Sequence, residues 1–562
     1  MHDVCRIEHD EHSQHIEFSD LLEAERMKVT NLPLSYIDSW QHHIMIHDDS
    51  VVSRDPLPRI IWPDEVAIER KTKPKCVVPC VCLVLLGVSV AIGVIFGMRQ
   101  REVPDAPSQS SGDIPDRDAL FESCNVDDLL FKCSEGIQDP NSTVPPCLAE
   151  TYFTYRNNWI HDVDPEFDVS NTDVCEPSNK ALMFVALYAQ QRIVNEIDLK
   201  NIYGLASYFF LLNGENWAAS FSWLSDKPVR EWEGVEVNDI GEVVEINLRQ
   251  HAISGTLPSL PALGTLKSLD LSLNMIQGTL PRNLGMLEVL NLENNMFSGT
   301  LHEGWTNAIH LRTLQIGYNV LDGTLSSSFG KMTQLEELSI PANKIGSAIP
   351  SEIGGCSSLL KLDLRRNSFE GLIPSEIGNL KTLTYLDLGG NSFARGILPE
   401  EIFNLTSMVA LGLSACSLVG TISPALGDLV ALSYVDFYMN DLRGSLPSEV
   451  GLLPSMVEMD FSINHLSGTL PSELGRLSNA ELIDVSRNLL NGTLPTDLGN
   501  LVKLDAFIFS GNVFHGVIPD EICGLWDSGK MQVLGGVLED IHCSSDMFGG
   551  AVCPYPDCCP SC

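Results

Sequence analysis

Hydrophobic residues recur at a fixed spacing from about residue 240 onward. The pattern is L-x-x-L-x-L-x-x-N-x-L-x-G-x-L/I-P, as in residues 266–281 and, one residue longer, in residues 383–399. Leucine alternating with other residues predicts a short strand with one buried face, and the closing Gly and Pro predict a turn. A copy this short cannot bury its own apolar face. We therefore expect neighbouring copies to stack into one continuous core built from Leu269, Leu271, Ile276, Leu280 and their equivalents.

The asparagine at the ninth position of the pattern marks each copy and allows the copies to be counted. Nine of the ten intervals between these markers are 24 or 25 residues, and a degenerate copy at residues 243–258 makes about twelve copies in all. A buried amide there can satisfy backbone groups of its own turn and of the adjacent copy, so we predict a structural ladder in which one cysteine replaces Asn. The ladder positions are Asn274, Asn295, Asn319, Asn343, Asn367, Asn391, Cys416, Asn440, Asn464, Asn488 and Asn512.

The period and the residue classes identify leucine-rich repeats. The x-x-G-x-L/I-P ending resembles the plant-type subclass, which is found in receptor-like proteins of plants and other photosynthetic eukaryotes. Upstream, NGENW (213–217), SWLSD (222–226) and EWEGVEV (231–237) resemble the N-terminal cap of these proteins, although Arg230 and Val237 occupy its two usual cysteine positions. The resemblance implies an α/β fold: a leucine-rich-repeat solenoid forming a right-handed parallel β horseshoe or superhelix of about 12 repeats, capped at both ends.

A second hydrophobic segment lacks this periodicity. Residues 76–98 contain no charged side chain over 23 positions. A helix of that length is about 35 Å long and spans a hydrocarbon core of about 30 Å. Five basic residues precede it within twenty positions and three follow it, while twelve of the sixteen cysteines and all three N-x-S/T sequons, Asn141, Asn404 and Asn491, lie after it. We expect a signal anchor of a single-pass membrane protein, with a cytosolic N-terminus and an extracellular C-terminus, in the plasma membrane.

These features divide the chain into six parts. They are a cytosolic, largely disordered tail (1–75), a transmembrane helix (76–98), a stalk (99–118), a cysteine-containing region with the N-terminal cap (119–240), the leucine-rich repeats (241–522) and a cysteine-rich C-terminal cap (523–562). The four upstream cysteines allow three disulfide pairings and the six C-terminal ones allow fifteen. A zinc site is the alternative for the C-terminal cluster, although an oxidising compartment favours disulfides.

Charge and motifs narrow the function. The net charge of −39 lies mostly after residue 98, where 59 acidic residues face 26 basic ones, and it argues against nucleic-acid binding. The chain has none of the kinase signatures, no P-loop, no H-E-x-x-H and no G-x-S-x-G, so we expect no enzyme, no cofactor and no metal site. Recognition by the concave sheet face is the remaining activity that the fold supports. Signalling would then require a co-receptor or a partner kinase.

Two features of the predicted strands suggest where a ligand binds. Six of the twelve middle strand positions are Asp, a stripe that is either solvated or neutralised by a partner or by Arg365 and Arg366. Small residues lie between Tyr385 on one side and Tyr434 and Tyr438 on the other, with Asp387 and Asp436 at the edges: Gly389, Gly390, Ala410, Gly412, Ser414 and Ala415. We predict a shallow trough there that contacts an extracellular peptide, protein or glycan; ordinary variation among repeats is the alternative. The competing functions are a structural, adhesive or cell-wall polysaccharide-binding protein, or an inhibitor of secreted hydrolases.

Overall fold

The computed structural model describes most of the chain from residue 144 to residue 527. The gaps are 145, 166, 172, 174–175, 192–193, 218–221, 226 and 258–259, and residues 533–534 are also described. The predicted tail, membrane span and stalk, Asn141 and nearly all of the C-terminal cap lie outside these residues. Among the described residues, no helix is long and apolar enough to cross a bilayer. All of them belong to one compact unit, Pro104–Cys562.

Four helices precede the repeats. They are α1 (Pro146–Asn158), α2 (Ile160–Val163), α3 (Pro177–Gln191) and α4 (Glu196–Leu211). Helix α4 begins after Asn195, whose side chain accepts the Asp198 N–H at 2.8 Å and so caps one of the free donors of the first turn. The guanidinium of Arg156 is buried and donates to the Tyr152 hydroxyl at 3.0 Å and to the Val169 carbonyl at 2.7 Å. This arrangement fixes the loop after α2 against α1.

The first strand of each copy joins a 14-stranded main sheet. Strand β1 is antiparallel to β2 and the other neighbours are parallel, in the order β1-β2-β4-β6-β8-β10-β12-β14-β15-β17-β19-β21-β23-β25. The strands are β1 (Val235–Val237), β2 (Val243–Asn247), β4 (Ser268–Asp270), β6 (Val289–Asn291), β8 (Thr313–Gln315), β10 (Glu337–Ser339), β12 (Lys361–Asp363), β14 (Tyr385–Asp387), β15 (Ala410–Gly412), β17 (Tyr434–Asp436), β19 (Glu458–Asp460), β21 (Leu482–Asp484), β23 (Ala506–Ile508) and β25 (Val533–Leu534).

A second strand in most copies forms three side sheets, in the orders β3-β5-β7-β9, β11-β13 and β16-β18-β20-β22-β24. Their strands are β3 (Ser254–Thr256), β5 (Met275–Thr279), β7 (Met296–Thr300), β9 (Val320–Asp322), β11 (Gly346–Ala348), β13 (Ser368–Glu370), β16 (Val419–Thr421), β18 (Asp441–Gly444), β20 (His465–Gly468), β22 (Leu489–Gly492) and β24 (Val513–Phe514). A short 3-10 turn closes most copies, for example Ser351–Gly355, and helix α5 (Asp520–Asp527) follows the last one. The predicted leucine-rich-repeat solenoid with a large parallel sheet is thus present.

The inward side chains of the strands and turns form the core. Leu269, Leu271 and Ile276 are fully buried, Leu280 is 5% exposed, and nearly all equivalent residues of the other copies are buried as well; Leu257 and Leu398 are partly buried. The predicted stacking of apolar faces between copies is therefore confirmed. Each buried leucine of this kind stabilises the fold by about 1.5–3 kcal/mol relative to an exposed one.

The ladder asparagines tie each copy to the previous one. Asn464 donates to the Phe437 carbonyl of the previous copy at 2.9 Å and to the Phe461 carbonyl of its own copy at 3.2 Å. Its Oδ1 accepts the Leu442 N–H at 3.0 Å. The same pattern recurs along the ladder, and the amides are nine-tenths or more buried. One side chain therefore satisfies backbone groups on two copies, which explains why Asn is repeated.

Cys416 reproduces only part of this pattern. Its thiol lies 3.3 Å from the Leu388 carbonyl, but sulfur offers no carbonyl oxygen to accept a backbone N–H. We expect Cys416→Asn to raise the free energy of unfolding by about 1 kcal/mol, the value of one net hydrogen bond. Urea titration of the wild type and the variant measures this. A matched control is Cys356→Ser, at a buried thiol outside the ladder, which should not stabilise the fold.

Candidate ligand-binding face

All seven residues predicted to bind ligand lie on or beside four neighbouring strands of the main sheet. The residues opposite one another across β12, β14, β15 and β17 form two rows: Lys361, Tyr385, Ala410 and Tyr434, and Asp363, Asp387, Gly412 and Asp436. Arg365 and Arg366 follow β12, and Tyr438 follows β17. The inward Leu386 is fully buried, so the two rows lie on the outer face of the sheet. The parallel register, rather than closeness in sequence, brings these side chains together.

The aspartates at the ends of the strands have a local structural role. Asp387 Oδ1 accepts the Gly389 N–H at 2.9 Å, and Asp436 Oδ1 accepts the Tyr438 N–H at 2.9 Å. Asp460 and Asp484 accept the N–H two residues later in the same way. Such a side chain satisfies a backbone donor where the strand turns away, and Asp and Asn are the residues best suited to it. The Asp stripe is thus explained in part by backbone geometry.

Arg365 neutralises one end of the stripe. Its Nη1 lies 3.3 Å from Asp387 Oδ2 and its Nη2 lies 3.4 Å from Asp363 Oδ2. The Tyr385 hydroxyl donates to Asp387 Oδ2 at 3.4 Å. The Asp363 side chain is 3% exposed and that of Arg365 is 22% exposed, so the pairs are shielded from water. Arg365 and Asp387 therefore hold the outer face in shape and have little capacity left for a ligand.

Arg366 lies in a different environment. Its Nη1 is buried and has no hydrogen-bond partner among the described residues. Burial lowers the pKa of its guanidinium, and the neighbouring Arg365 lowers it further. Among the described residues Arg366 forms no ion pair with a carboxylate, in contrast to Arg365.

The small residues of the predicted trough are covered by their neighbours. A Cβ on Gly412 would lie 2.7 Å from Asp387 Cγ, and one on Gly389 would lie 2.7 Å from Ser414 Oγ. Ala410, opposite Tyr385 and Tyr434, is only 6% exposed. The missing side chains therefore give room to the neighbouring polar groups. The surface that remains between the tyrosines is shallower than the small residues alone suggest.

The acidic residues beyond the trough have no arginine between them. Asp436, Asp460 and Asp484 lie opposite one another on β17, β19 and β21. Burial raises the pKa of all three carboxyl groups, and the charges of Asp484 and Asp436 raise that of Asp460 further. Burial and the charge of Asp436 also hold the pKa of Tyr434 well above its usual value, so its hydroxyl stays protonated. This end of the face favours protons or cations.

Three residues complete the face: Lys361 and Glu337, which the sequence prediction missed, and Asp363, which it placed in the Asp stripe but not among the ligand-binding residues. Lys361 lies over the Tyr385 ring, 5.5 Å from its centroid, and its Nζ pairs with Glu337 Oε1 at 2.8 Å. Asp363 pairs with Arg365. All three occupy the same strand positions as the predicted residues, so comparing the copies column by column from β10 to β12 would have found them.

The sequons and cysteines are placed as follows. Asn404 ends the 3-10 turn Glu400–Asn404 and Asn491 lies in β22; both are exposed. Cys356 and Cys416 are buried free thiols, and Cys523 in α5 is disulfide-bonded. Glycosylation of the two asparagines stays a prediction.

Comparison with known proteins agrees with the repeat assignment. A family profile described as "Leucine rich repeat" matches residues 333–393, and a second, "Leucine Rich Repeat", matches residues 265–287, 286–308 and 382–405. No curated protein sequence matches the chain significantly. The chain therefore contains leucine-rich repeats.

Similar solved structures are ectodomains of plant leucine-rich-repeat receptor kinases. One is the ectodomain of the Arabidopsis receptor kinase HAESA with an N-terminally extended IDA peptide hormone, with 27% identity, a TM-score of 0.52, and coverage of 59% of this chain and 62% of that one. Another is HAESA with IDA and the co-receptor SERK1, with 28% identity, a TM-score of 0.50, and coverage of 55% and 57%. The alignments span less than two thirds of either structure.

Proposed function

We propose that the chain is a cell-surface recognition protein that binds an extracellular peptide on the outer face of the main sheet, between β12 and β17. The observation that carries this is the convergence of Tyr385, Tyr434, Tyr438 and Arg366, from three separate copies, on one surface. Tyrosine is a favoured binding anchor because it offers area and a hydroxyl at low entropic cost. The charge pairs of Arg365 keep the platform rigid, and rigidity lowers the cost of binding.

A peptide is the ligand class with the best support. The HAESA ectodomain shares the fold at 27–28% identity, and its structures contain a peptide hormone. An extended peptide can lie across successive parallel strands and meet one outward side chain from each. The face between Arg366 and Asp436 offers such a peptide a guanidinium at one end and a hydrogen-bonding carboxyl group at the other. Protein or glycan ligands are the other outcomes of the experiment below.

The remaining parts of the proposal concern the membrane and signalling. Residues 76–98 would anchor the chain with its N-terminus in the cytosol, and the repeats would lie outside the cell, where Asn404 and Asn491 are accessible to glycosylation. Signalling would pass through a co-receptor or partner kinase, as the HAESA complex with SERK1 suggests. Unglycosylated Asn404 and Asn491, together with protease cleavage of residues 1–75 on intact cells, would reverse this orientation.

Replacing Tyr385, Tyr434 and Tyr438 together with Ala should weaken peptide binding at least tenfold, because each anchor contributes on the order of 1 kcal/mol or more. The full chain on the surface of cells is screened against a displayed peptide library, and the selected peptides are titrated against both forms. Ser268→Ala with Val289→Ala changes the same strand position at the other end of the sheet and is the control.

Unchanged binding by the triple tyrosine variant would refute this site. Selection of glycans but no peptides, in a parallel array, would favour the structural or polysaccharide-binding alternative. Equal loss in the control variant would place the ligand elsewhere on the sheet.

A further inference from the structure

Neighbouring copies of the solenoid contact each other through four structural features. These are the main sheet, the ladder, the side sheets, and a close approach between successive 3-10 turns. We name each copy after its ladder residue. At the junction between the Asn391 copy and the Cys416 copy, three of the four features depart from the regular pattern.

The first of the three departures is a weaker ladder contact at this junction. In a regular junction the amide both donates to and accepts from the previous copy: Asn391 donates to the Leu364 carbonyl at 3.0 Å and accepts the Phe369 N–H at 3.0 Å. The Cys416 thiol lies 3.3 Å from the Leu388 carbonyl, where it is a weak donor, and it cannot accept the N–H of Phe393 as an amide oxygen would. The junction therefore lacks the hydrogen bond from the Phe393 N–H, and the bond to the Leu388 carbonyl is weakened.

The side sheet is interrupted at the same place. The Asn391 copy is one residue longer than its neighbours and lacks a second strand, so the side sheets stop at β13 and resume at β16. Among the described residues, the side-sheet contact across this junction is reduced to an isolated bridge between Gly396 and Leu418, where the Val419 N–H donates to the Gly396 carbonyl at 2.9 Å.

The 3-10 turns also differ there. A glycine in most turns allows the backbone of the next copy to come close. A Cβ on Gly378 would lie 2.5 Å from the Glu401 carbonyl oxygen, and one on Gly427 would lie 2.5 Å from that of Glu449. The Asn391 copy has Phe403 at this position, buried at 6% exposure. A phenyl ring requires several ångströms where the turns with glycine leave no room for a methyl group.

The main sheet continues without a break. Strands β14 and β15 pair in register, and the Leu388 N–H donates to the Gly412 carbonyl at 2.9 Å. Outside the sheet, the exposed Arg395 forms an ion pair with Asp441 of the Asn440 copy and so passes over the whole Cys416 copy. The junction is thus held by one continuous sheet, by the isolated bridge at Gly396 and by an exposed ion pair, a kind of contact whose loss changes an opening equilibrium by a few fold at most.

We propose that the Asn391–Cys416 junction is a hinge at which the solenoid opens locally while the main sheet stays paired. Opening separates the 3-10 turns and exposes the core at Cys416. Because bulky and irregular contacts are concentrated at one junction, the free energy of opening is lowest there. The inference does not depend on which ligand the chain binds.

The chain contains a matched pair of probes. The Cys416 thiol contacts the Leu388 carbonyl across the proposed hinge, and the Cys356 thiol contacts the Phe329 carbonyl at 3.2 Å across the Asn319–Asn343 junction. Both thiols are fully buried, and burial raises the pKa of each. The Asn319–Asn343 junction has a side-sheet interruption as well, between β9 and β11. The Asn319–Asn343 junction keeps its ladder amide and its turn glycine. It therefore differs from the proposed hinge in the ladder and in the 3-10 turns, and resembles it only in the side sheet.

The test is alkylation of the full chain with N-ethylmaleimide under native conditions, followed by mass spectrometry of the peptides that contain Cys416 and Cys356. We expect Cys416 to be modified at least tenfold faster than Cys356. Equal rates would mean that both thiols react only after global unfolding, and a faster Cys356 would place the weakest junction elsewhere. Either result would overturn the hinge.

Two variants distinguish a hinge from a merely reactive cysteine. Arg395→Ala removes the ion pair that crosses the junction and should speed the modification of Cys416 but not of Cys356. Arg443→Ala removes a contact with the same Asp441 within its own copy, at 3.4 Å, and should leave both rates unchanged. Hydrogen exchange of the amides at 393–418 should increase with Arg395→Ala alone; no change in either measurement would overturn the proposal.

Discussion

Replacing Asn464 with Ala should lower the free energy of unfolding by about 2–5 kcal/mol, the largest loss that we expect from a single polar substitution in the repeats. The amide donates to the carbonyls of Phe437 and Phe461 and accepts the N–H of Leu442. All of these bonds are buried. An alanine leaves two carbonyls and one N–H without their partner, and leaving buried polar groups unpaired is costly.

The midpoint of urea unfolding measures this loss, and hydrogen exchange locates it. The Leu442 amide, which Asn464 holds directly, should lose more protection than amides of distant copies. Asn379→Ala is the control: Asn379 is exposed at the end of the 3-10 turn Ser375–Asn379, and we expect a change within about 0.5 kcal/mol. A loss of similar size in the two variants would show that the ladder amides contribute nothing specific.

The repeats were predictable because their period is strict and their inward positions are nearly all apolar. The helices α1 to α4 were not predicted. In α3 the run from Ala181 to Leu187 is buried on every side, so it carries no polar face from which a helical period could be read. The cap motifs at residues 213–237 located the start of the solenoid but contained no information on what packs before it.

The outer face could be predicted only by position. The column of Asp residues and the candidate arginines are readable from the sequence, but which arginine pairs with which carboxylate is not. Arg365 lies between Asp363 and Asp387, whereas no arginine lies between Asp436 and Asp460, and this difference depends on rotamers and register. The room that Gly412 leaves for the Asp387 carboxylate is likewise visible only across strands. A glycine in a strand signals a close approach but does not name the group that approaches.

The acidic column should make the protein less stable as the pH rises from about 4 to about 7. Asp436, Asp460 and Asp484 are buried beside one another, and burial raises the pKa of each carboxyl group, to about 7 for Asp436. In the unfolded chain these groups have a pKa of about 4. The folded state therefore holds protons that the unfolded state releases. The stabilisation is complete below about pH 4 and is lost as the pH rises to the folded-state pKa, at roughly 1.4 kcal/mol for each pH unit and each carboxyl group.

Asp460→Asn isolates this contribution, because it removes the central charge and keeps the oxygen that accepts the Ser462 N–H at 2.8 Å. We expect the variant to be about 1–3 kcal/mol more stable than the wild type at pH 8, with the difference vanishing near pH 4.

Asp270→Asn is the matched control. Asp270 occupies the same strand position and accepts the Ser272 N–H at 2.9 Å, but its neighbours across the sheet are the neutral Asn247 and Asn291. Urea unfolding of the three proteins from pH 4 to pH 8 separates the two cases. If Asp460→Asn has the pH dependence of the wild type, the column is ionised in the folded protein, and the carboxylates must be compensated by groups other than protons. If the control gains as much stability as Asp460→Asn, the effect belongs to the strand position and not to the meeting of three acids.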